Sequence, residues 1–276
     1  MKKSPSTLIF LHIPKTAGTT FSTVLFRQYA PQACFYRTGN KISDSLDELA
    51  GLPENARQSL ELIYILHAGF GIHHLLPTPS SYVSFLREPW SRLISDYFHA
   101  CRNSDHSFYA HAQAGATIDD FVFHRLKKQG LTNPMTRFIS GINPYQPFHS
   151  LPVNALDVAI DNIERHFGFL GLTEQYDESL LLIKQHYKWG NIQYLRKNVG
   201  KKNVLHTSFH PATLASFQEG NAMDYSLYAY AKQKLEQSLQ QQGPGFWKEL
   251  KRVRDFNLMN EIVYNFIHTV KKCLTR

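Results

Sequence analysis

Residues 7–13, TLIFLHI, form an apolar, β-branched run that Pro14 ends. A run without alternation predicts a strand buried on both faces, as in a parallel sheet. LIYILH at 62–67 and YVSFLR at 82–87 repeat the pattern, and GFLGLT at 168–173 is a shorter version. Between these runs the apolar positions recur at helical spacing. FSTVLFRQY predicts a helix with Thr19 or Thr20 as its cap. Pro89 takes a first-turn position in a helix that continues through WSRLISDYFHA. Further helices are predicted over 157–167, 178–187, 222–241 and 246–272, with QQQGPG at 240–245 separating the last two. Strands alternating with helices predict an α/β fold: a central parallel sheet flanked by helices in three layers, with a helical C-terminal third. One domain is expected over 1–276, with a core over 1–240 and a helical extension over 241–276.

Composition narrows the class. Hydrophobic residues are 43% and charged residues 19% of the 276, which excludes intrinsic disorder. Thirty Lys and Arg against 22 Asp and Glu give +8, a balance that favours an anionic partner without choosing among nucleic acid, phosphate, sulfate and an acidic surface. Cys34, Cys101 and Cys273 are scattered and form no C-x-x-C pair, so free thiols in a reducing compartment are expected. No apolar run approaches the ~20 residues of a membrane span. The stretch Leu8–Leu11 is shorter than the ~7–15 residues of a signal-peptide core. The expectation is a soluble, cytoplasmic chain without signal peptide or anchor. The apolar stripe over 246–272 is expected to pack on the core or in a homo-oligomer.

Two strand-to-helix loops carry candidate chemistry. In a parallel α/β sheet, ligands bind beyond the carboxyl ends of the strands. HIPKTAGTTF, 12–21, lies there. Gly18 allows close backbone approach, the amides of 16–20 open a helix, Thr16, Thr19 and Thr20 add hydroxyls, and Lys15 adds a cation. The loop belongs to a P-loop-like fold yet is no Walker A motif, because Lys15 precedes the only glycine. That disfavours a magnesium-nucleotide kinase. The second loop lies in FLREPWSRLISDY, 85–97. Arg87 ends a strand, and Ser95 sits two turns into the next helix, so guanidinium and hydroxyl can converge on one phosphate. The alternative is Arg87 paired with Glu88 or Asp96.

Together the loops resemble the two nucleotide motifs of sulfotransferases that use 3′-phosphoadenosine-5′-phosphosulfate (PAPS). The nearest likeness is to the carbohydrate branch typified by heparan sulfate 2-O-sulfotransferase and its bacterial relatives. That branch shows P-K-T-A/G-x-[ST]-[ST], then R-[DE]-P-x-x-R-x-x-S-x-Y, which Arg87–Tyr97 matches at every fixed position. GFGIHHLLP at 69–77, NPMTRFISG at 133–141, GLTEQYDESLLLIK at 171–184 and YLRKNVGKKN at 194–203 are also similar, so the likeness covers about 7–240.

The resemblance implies that Lys15, Thr16, Ala17, Gly18, Thr19 and Thr20 hold the 5′-phosphosulfate, and that Arg87 and Ser95 hold the 3′-phosphate. A basic loop with Arg196 and Lys201 closes over the cofactor. Lys15 stabilises charge on the leaving oxygen, no metal is required, and the acceptor is a hydroxyl of a glycan rather than nucleic acid. His67 falls at the family's general-base position, although Leu66 replaces the usual glycine and Ala68 a usual aromatic residue. His12, His73 and His74 are alternative bases. Arg137 either lines the acceptor site or pairs structurally. His206 and His210 have i, i+4 spacing but lack the Glu of a zincin. Kinase and non-enzymatic polyanion binding are the rival readings.

Overall fold

The computed structural model describes residues 7–39, 41–142, 151–195 and 209–274. Along the chain it forms β1 (Thr7–Phe10), α1 (Gly18–Leu25), β2 (Cys34–Arg37), α2 (Ile42–Gly51), α3 (Glu54–Gln58), β3 (Leu62–Ile65), β4 (Ser80–Leu86), α4 (Pro89–Ala100), α5 (Tyr109–Gln113), α6 (Ile118–Phe123), α7 (Pro134–Ser140), α8 (Ala155–His166), β5 (Phe167–Leu172), α9 (Tyr176–Tyr187), α10 (Pro211–Gly220), α11 (Ala222–Gln240) and α12 (Pro244–Leu274).

The five strands make one parallel sheet in the order β2-β3-β1-β4-β5. All four residues of β1 are buried, as a central strand covered on both faces requires. The chain passes from β1 to the edge strand β2, returns to β3 beside β1, then crosses to β4 and β5 on the other side. The neighbouring carboxyl ends of β1 and β4 therefore lead into loops that diverge, and this switch point is where an open α/β sheet leaves a crevice. The core locks that geometry. Phe21 of α1, fully buried, meets Phe10 and Phe85 with ring centroids at 4.9 Å in each pair. Across the gap, Ser84 Oγ donates to the Leu11 carbonyl at 2.7 Å.

The four expected strands are present, each with an earlier carboxyl end, and the expected helices agree to within four residues. β2 was not expected. It pairs only with β3, burying Phe35 while Tyr36 stays exposed. A four-residue edge strand with alternating burial has too little apolar signal to stand out from a loop. At the other end of the chain, Phe246, Leu250 and Val253 of α12 join the core, while Arg254 pairs with Asp177 and Glu178 at the start of α9. Among the described residues no helix is long and apolar enough to cross a membrane.

Candidate active site at the carboxyl edge of the sheet

The loop from β1 to α1 turns through a left-handed backbone at Lys15 (φ 70°) and again at Ala17 (φ 67°), with Thr16 between them. Alternating backbone handedness turns successive N–H groups toward one concavity that suits an anion. Ala17 precedes the helix and offers no side-chain cap. The expected threonine cap is thus corrected: the left-handed Ala17 caps the helix two residues before Thr19 and leaves its first amides open to a ligand. Thr16 also differs from expectation. Its hydroxyl donates to the Ile13 carbonyl at 2.8 Å, so it staples the turn and has no proton to give an anion. Thr19 is exposed beside it.

Gly18 allows a close approach, but by the protein's own side chain. A β-carbon there would lie 2.0 Å from Cδ2 and Nε2 of His12. His12 is held in turn by Tyr64, whose hydroxyl lies 2.9 Å from Nδ1, and by stacking on Phe10 at 5.4 Å. His12 is therefore a buried wedge beneath the loop, which removes it as the alternative base. We expect Gly18→Ala to destabilise the protein by about 2–3 kcal/mol, read from chemical denaturation, because a buried ring must move. Pairing it with His12→Ala should recover part of the loss; a full loss in the double variant would sever the link between the two positions.

Burial drives the His12 pKa down to about 3, with His67 and Lys15 adding to the shift. The folded state thus holds His12 neutral where the unfolded chain, near 6.5, binds a proton. Its contribution to stability is complete above pH 6.5 and fades as pH falls toward 3, by up to about 1.4 kcal/mol per pH unit. Unfolding free energy measured from pH 6.5 to 4.5 should fall less steeply in His12→Gln than in the wild type. Equal slopes would mean that His12 titrates normally.

His67 follows β3 and faces the same edge. Its backbone is left-handed (φ 64°), an unfavourable state for a residue with a β-carbon and one that concentrates at functional sites. Its ring lies 5.5 Å from that of His12. Burial lowers its pKa to about 4, against the opposing pull of Asp96 and with help from His99 and Lys15. The imidazole is accordingly neutral at pH 7 and able to accept a proton. His73 and His74 lie elsewhere. His73 contacts the Tyr82 hydroxyl at 2.9 Å and the His166 ring at 4.6 Å, toward the amino ends of β4 and β5. The segment after His67 runs back along the sheet, which excludes both as bases at the carboxyl edge.

The second loop meets the first. Arg87 Nη1 donates to the Lys15 carbonyl at 3.3 Å. Its Nε is buried without a hydrogen-bond partner, and among the described residues Arg87 makes no ion pair. The partners that could have neutralised it are engaged. Glu88 caps α4, accepting from the amides of Trp90 at 3.1 Å and Ser91 at 2.6 Å. Asp96 pairs with Arg125. Ser95 is half-buried on α4, one turn beyond the buried Arg92. Lys15 is half-buried too. Burial lowers its pKa, Asp96 opposes the shift, and Arg102, Arg87 and Arg92 add to it. The edge is a cationic cradle with Asp96 beside Lys15 and with Glu174 and Glu88 beside Arg87.

Sequence reading missed three residues here, His99 on α4, Arg102 just past its end, and Arg125, and it named Asp96 only as a possible partner of Arg87. The signal was helical spacing, since 92, 95, 96 and 99 share a face of the helix. The Arg137 side chain is buried, and its Nε donates to the Thr132 carbonyl at 2.8 Å. Asp224 of α11 caps α7 beside it, accepting from the amides of Met135 and Thr136. His210 caps α10, accepting from the Ala212 amide at 3.2 Å. Arg196, Lys201 and His206 lie outside the described residues.

The orphaned Arg87 nitrogen, the uncapped helix and a lysine with no ion pair among the described residues fit a ligand with two anionic groups. No protein in a search of curated sequences matches the chain. A family model described as the sulfotransferase family matches residues 3–231, a span that includes both loops. The chain belongs to the sulfotransferase family.

Proposed function

We propose that this protein transfers the sulfuryl group of PAPS to a hydroxyl acceptor, a carbohydrate, by in-line displacement. Family membership carries sulfuryl transfer in general. The donor and acceptor are our reading. The observation that carries it is Arg87: a guanidinium at the switch point with a buried, partnerless nitrogen, bonded to the lysine loop. Such a group calls for an anion, and its place beside the open start of α1 calls for a second one nearby.

When bound, PAPS supplies the sulfuryl group and departs as adenosine 3′,5′-bisphosphate (PAP). In this reading the amides of Ala17, Gly18 and Thr19 and the exposed Thr19 hydroxyl hold the 5′ end, and Arg87 with Ser95 grips the 3′-phosphate. Lys15 places its ammonium where the leaving oxygen gains charge, an interaction that strengthens toward the transition state. His67, neutral, takes the proton of the acceptor hydroxyl. Arg196 and Lys201 close over the nucleotide. The glycan acceptor rests on the likeness of residues 87–97 to the carbohydrate branch. A single domain over the whole chain, with α12 as an extension beyond the matched span, is part of the same proposal.

Calorimetric titration with PAP, ADP and AMP tests the reading. Magnesium-independent binding of PAP, with ADP and AMP much weaker, is expected. A preference for ADP with magnesium would replace it with a kinase, and no nucleotide binding would leave only the polyanion reading.

A further inference from the structure

Asp96 is an acid in a place where cations predominate. It sits on α4 beside Ser95 and one turn after Arg92, and only 5% of its surface is exposed. Its Oδ2 accepts from Arg125 Nη2. Arg125 belongs to a single π-helical turn, His124–Lys128, and is fixed there by a 3.0 Å bond to Gln129 Oε1 and by the Phe121 ring, 5.5 Å below its guanidinium. The charge of Asp96 reaches both Lys15 and His67 and acts to raise the pKa of each. Burial alone would push its own pKa up, but Arg125 and Arg92 hold it below the usual value, so it is charged.

A buried ion pair contributes little net stability compared with apolar residues of similar volume. Its retention beside a nucleotide cradle asks for another reason. Arg102, Arg87 and Arg92 each repel Lys15. A nucleotide's phosphates would neutralise them. Before one binds, Asp96 is the carboxylate that opposes them at Lys15, while Glu174 and Glu88 face Arg87.

We propose that Asp96 is the resident counter-charge of the cofactor cradle, a positioning residue that holds the cations and Arg125 in place until the nucleotide arrives. The inference rests on the reading of Lys15 and Arg87 as the PAPS cradle. It has a consequence opposite to that of an ordinary structural residue: the carboxylate repels the ligand whose site it maintains. Removing its charge improves binding while weakening the empty protein. Removing Arg125 leaves the carboxylate unneutralised and weakens binding.

The test is calorimetric titration of the full chain with PAP at low ionic strength, alongside thermal unfolding with and without PAP. Asp96→Asn is expected to bind PAP roughly threefold to tenfold more tightly than wild type, the scale of one partly screened charge near the site. It should also unfold at a lower temperature without nucleotide. Arg125→Gln should bind PAP more weakly by a similar factor, and Asp96→Glu, which keeps the charge, should stay near wild type. Shifts of Asp96→Asn and Arg125→Gln in the same direction, or unchanged affinity in Asp96→Asn, would overturn the proposal. If Asp96→Asn does not fold alone, its refolding yield should rise when PAP is present; no rise overturns it as well. Failure of the wild type to bind PAP removes this inference together with the PAPS reading, whereas wild-type binding with the wrong signs removes this inference alone.

Discussion

Lys15→Ala should lower turnover by about 10²–10³-fold, the usual cost of removing one donor aimed at developing charge. The fold should survive it. Lys15 already carries a left-handed backbone, and alanine, which keeps the β-carbon, neither adds to that strain nor relieves it. The ammonium has no ion pair among the described residues and sits in the fields of Arg102, Arg87 and Arg92. Its loss removes repulsion at least as much as attraction. Steady-state kinetics beside a thermal unfolding curve separates the two effects. Near-normal turnover would take Lys15 out of the chemistry.

Arg87→Ala should weaken PAP binding by roughly 10–100-fold, the scale of charge-assisted hydrogen bonds lost to a phosphate. An analogue lacking the 3′-phosphate should lose much less. Some loss is shared by both ligands, because Arg87 also steadies the Lys15 carbonyl at 3.3 Å. The informative quantity is therefore the ratio of the two affinities in variant and wild type. An unchanged ratio would refute the assignment of Arg87 to the 3′-phosphate while leaving an anion site in place.

Much of the fold was legible because its central strands are apolar without interruption. A buried parallel strand writes itself into a short run such as TLIF or LIYI, and the helices between follow their 3.6-residue period. β2 escaped since an edge strand needs only one apolar face, and Phe35 alone supplies it. The extent of β1 was overread, because Leu11, His12 and Ile13 are as buried as the strand residues yet leave the sheet to shape the loop. Burial and strand membership are different properties, and hydrophobicity reports only the first.

The candidate site divides along the same line. Lys15, Gly18, Arg87 and Ser95 could be named because they lie in, or in the helix just after, the loops that follow two apolar strands, whereas His67 came from the family resemblance. Which side chains serve that edge and which serve the core was not legible. Thr16 turns inward to Ile13, His12 wedges beneath Gly18, Arg137 gives its Nε to Thr132, and His73 belongs with Tyr82. Each of these carries a polar group that could face a ligand, and only packing decides where it finds its partner.

By itself, then, the sequence determined the strand-and-helix alternation, the cationic balance and the positions of two loops at strand ends, because these depend on local periodicity and on charge counts. Tertiary structure alone decided that β1 and β4 lie side by side at the switch point, so that Arg87 reaches Lys15 across 72 residues of chain. It also decided that Asp96 faces Arg125, and that Arg87 makes no ion pair among the described residues although Glu174 and Glu88 lie in reach of its charge. Those outcomes depend on strand order and on competition among buried polar groups for partners, and neither is encoded in any short stretch of residues.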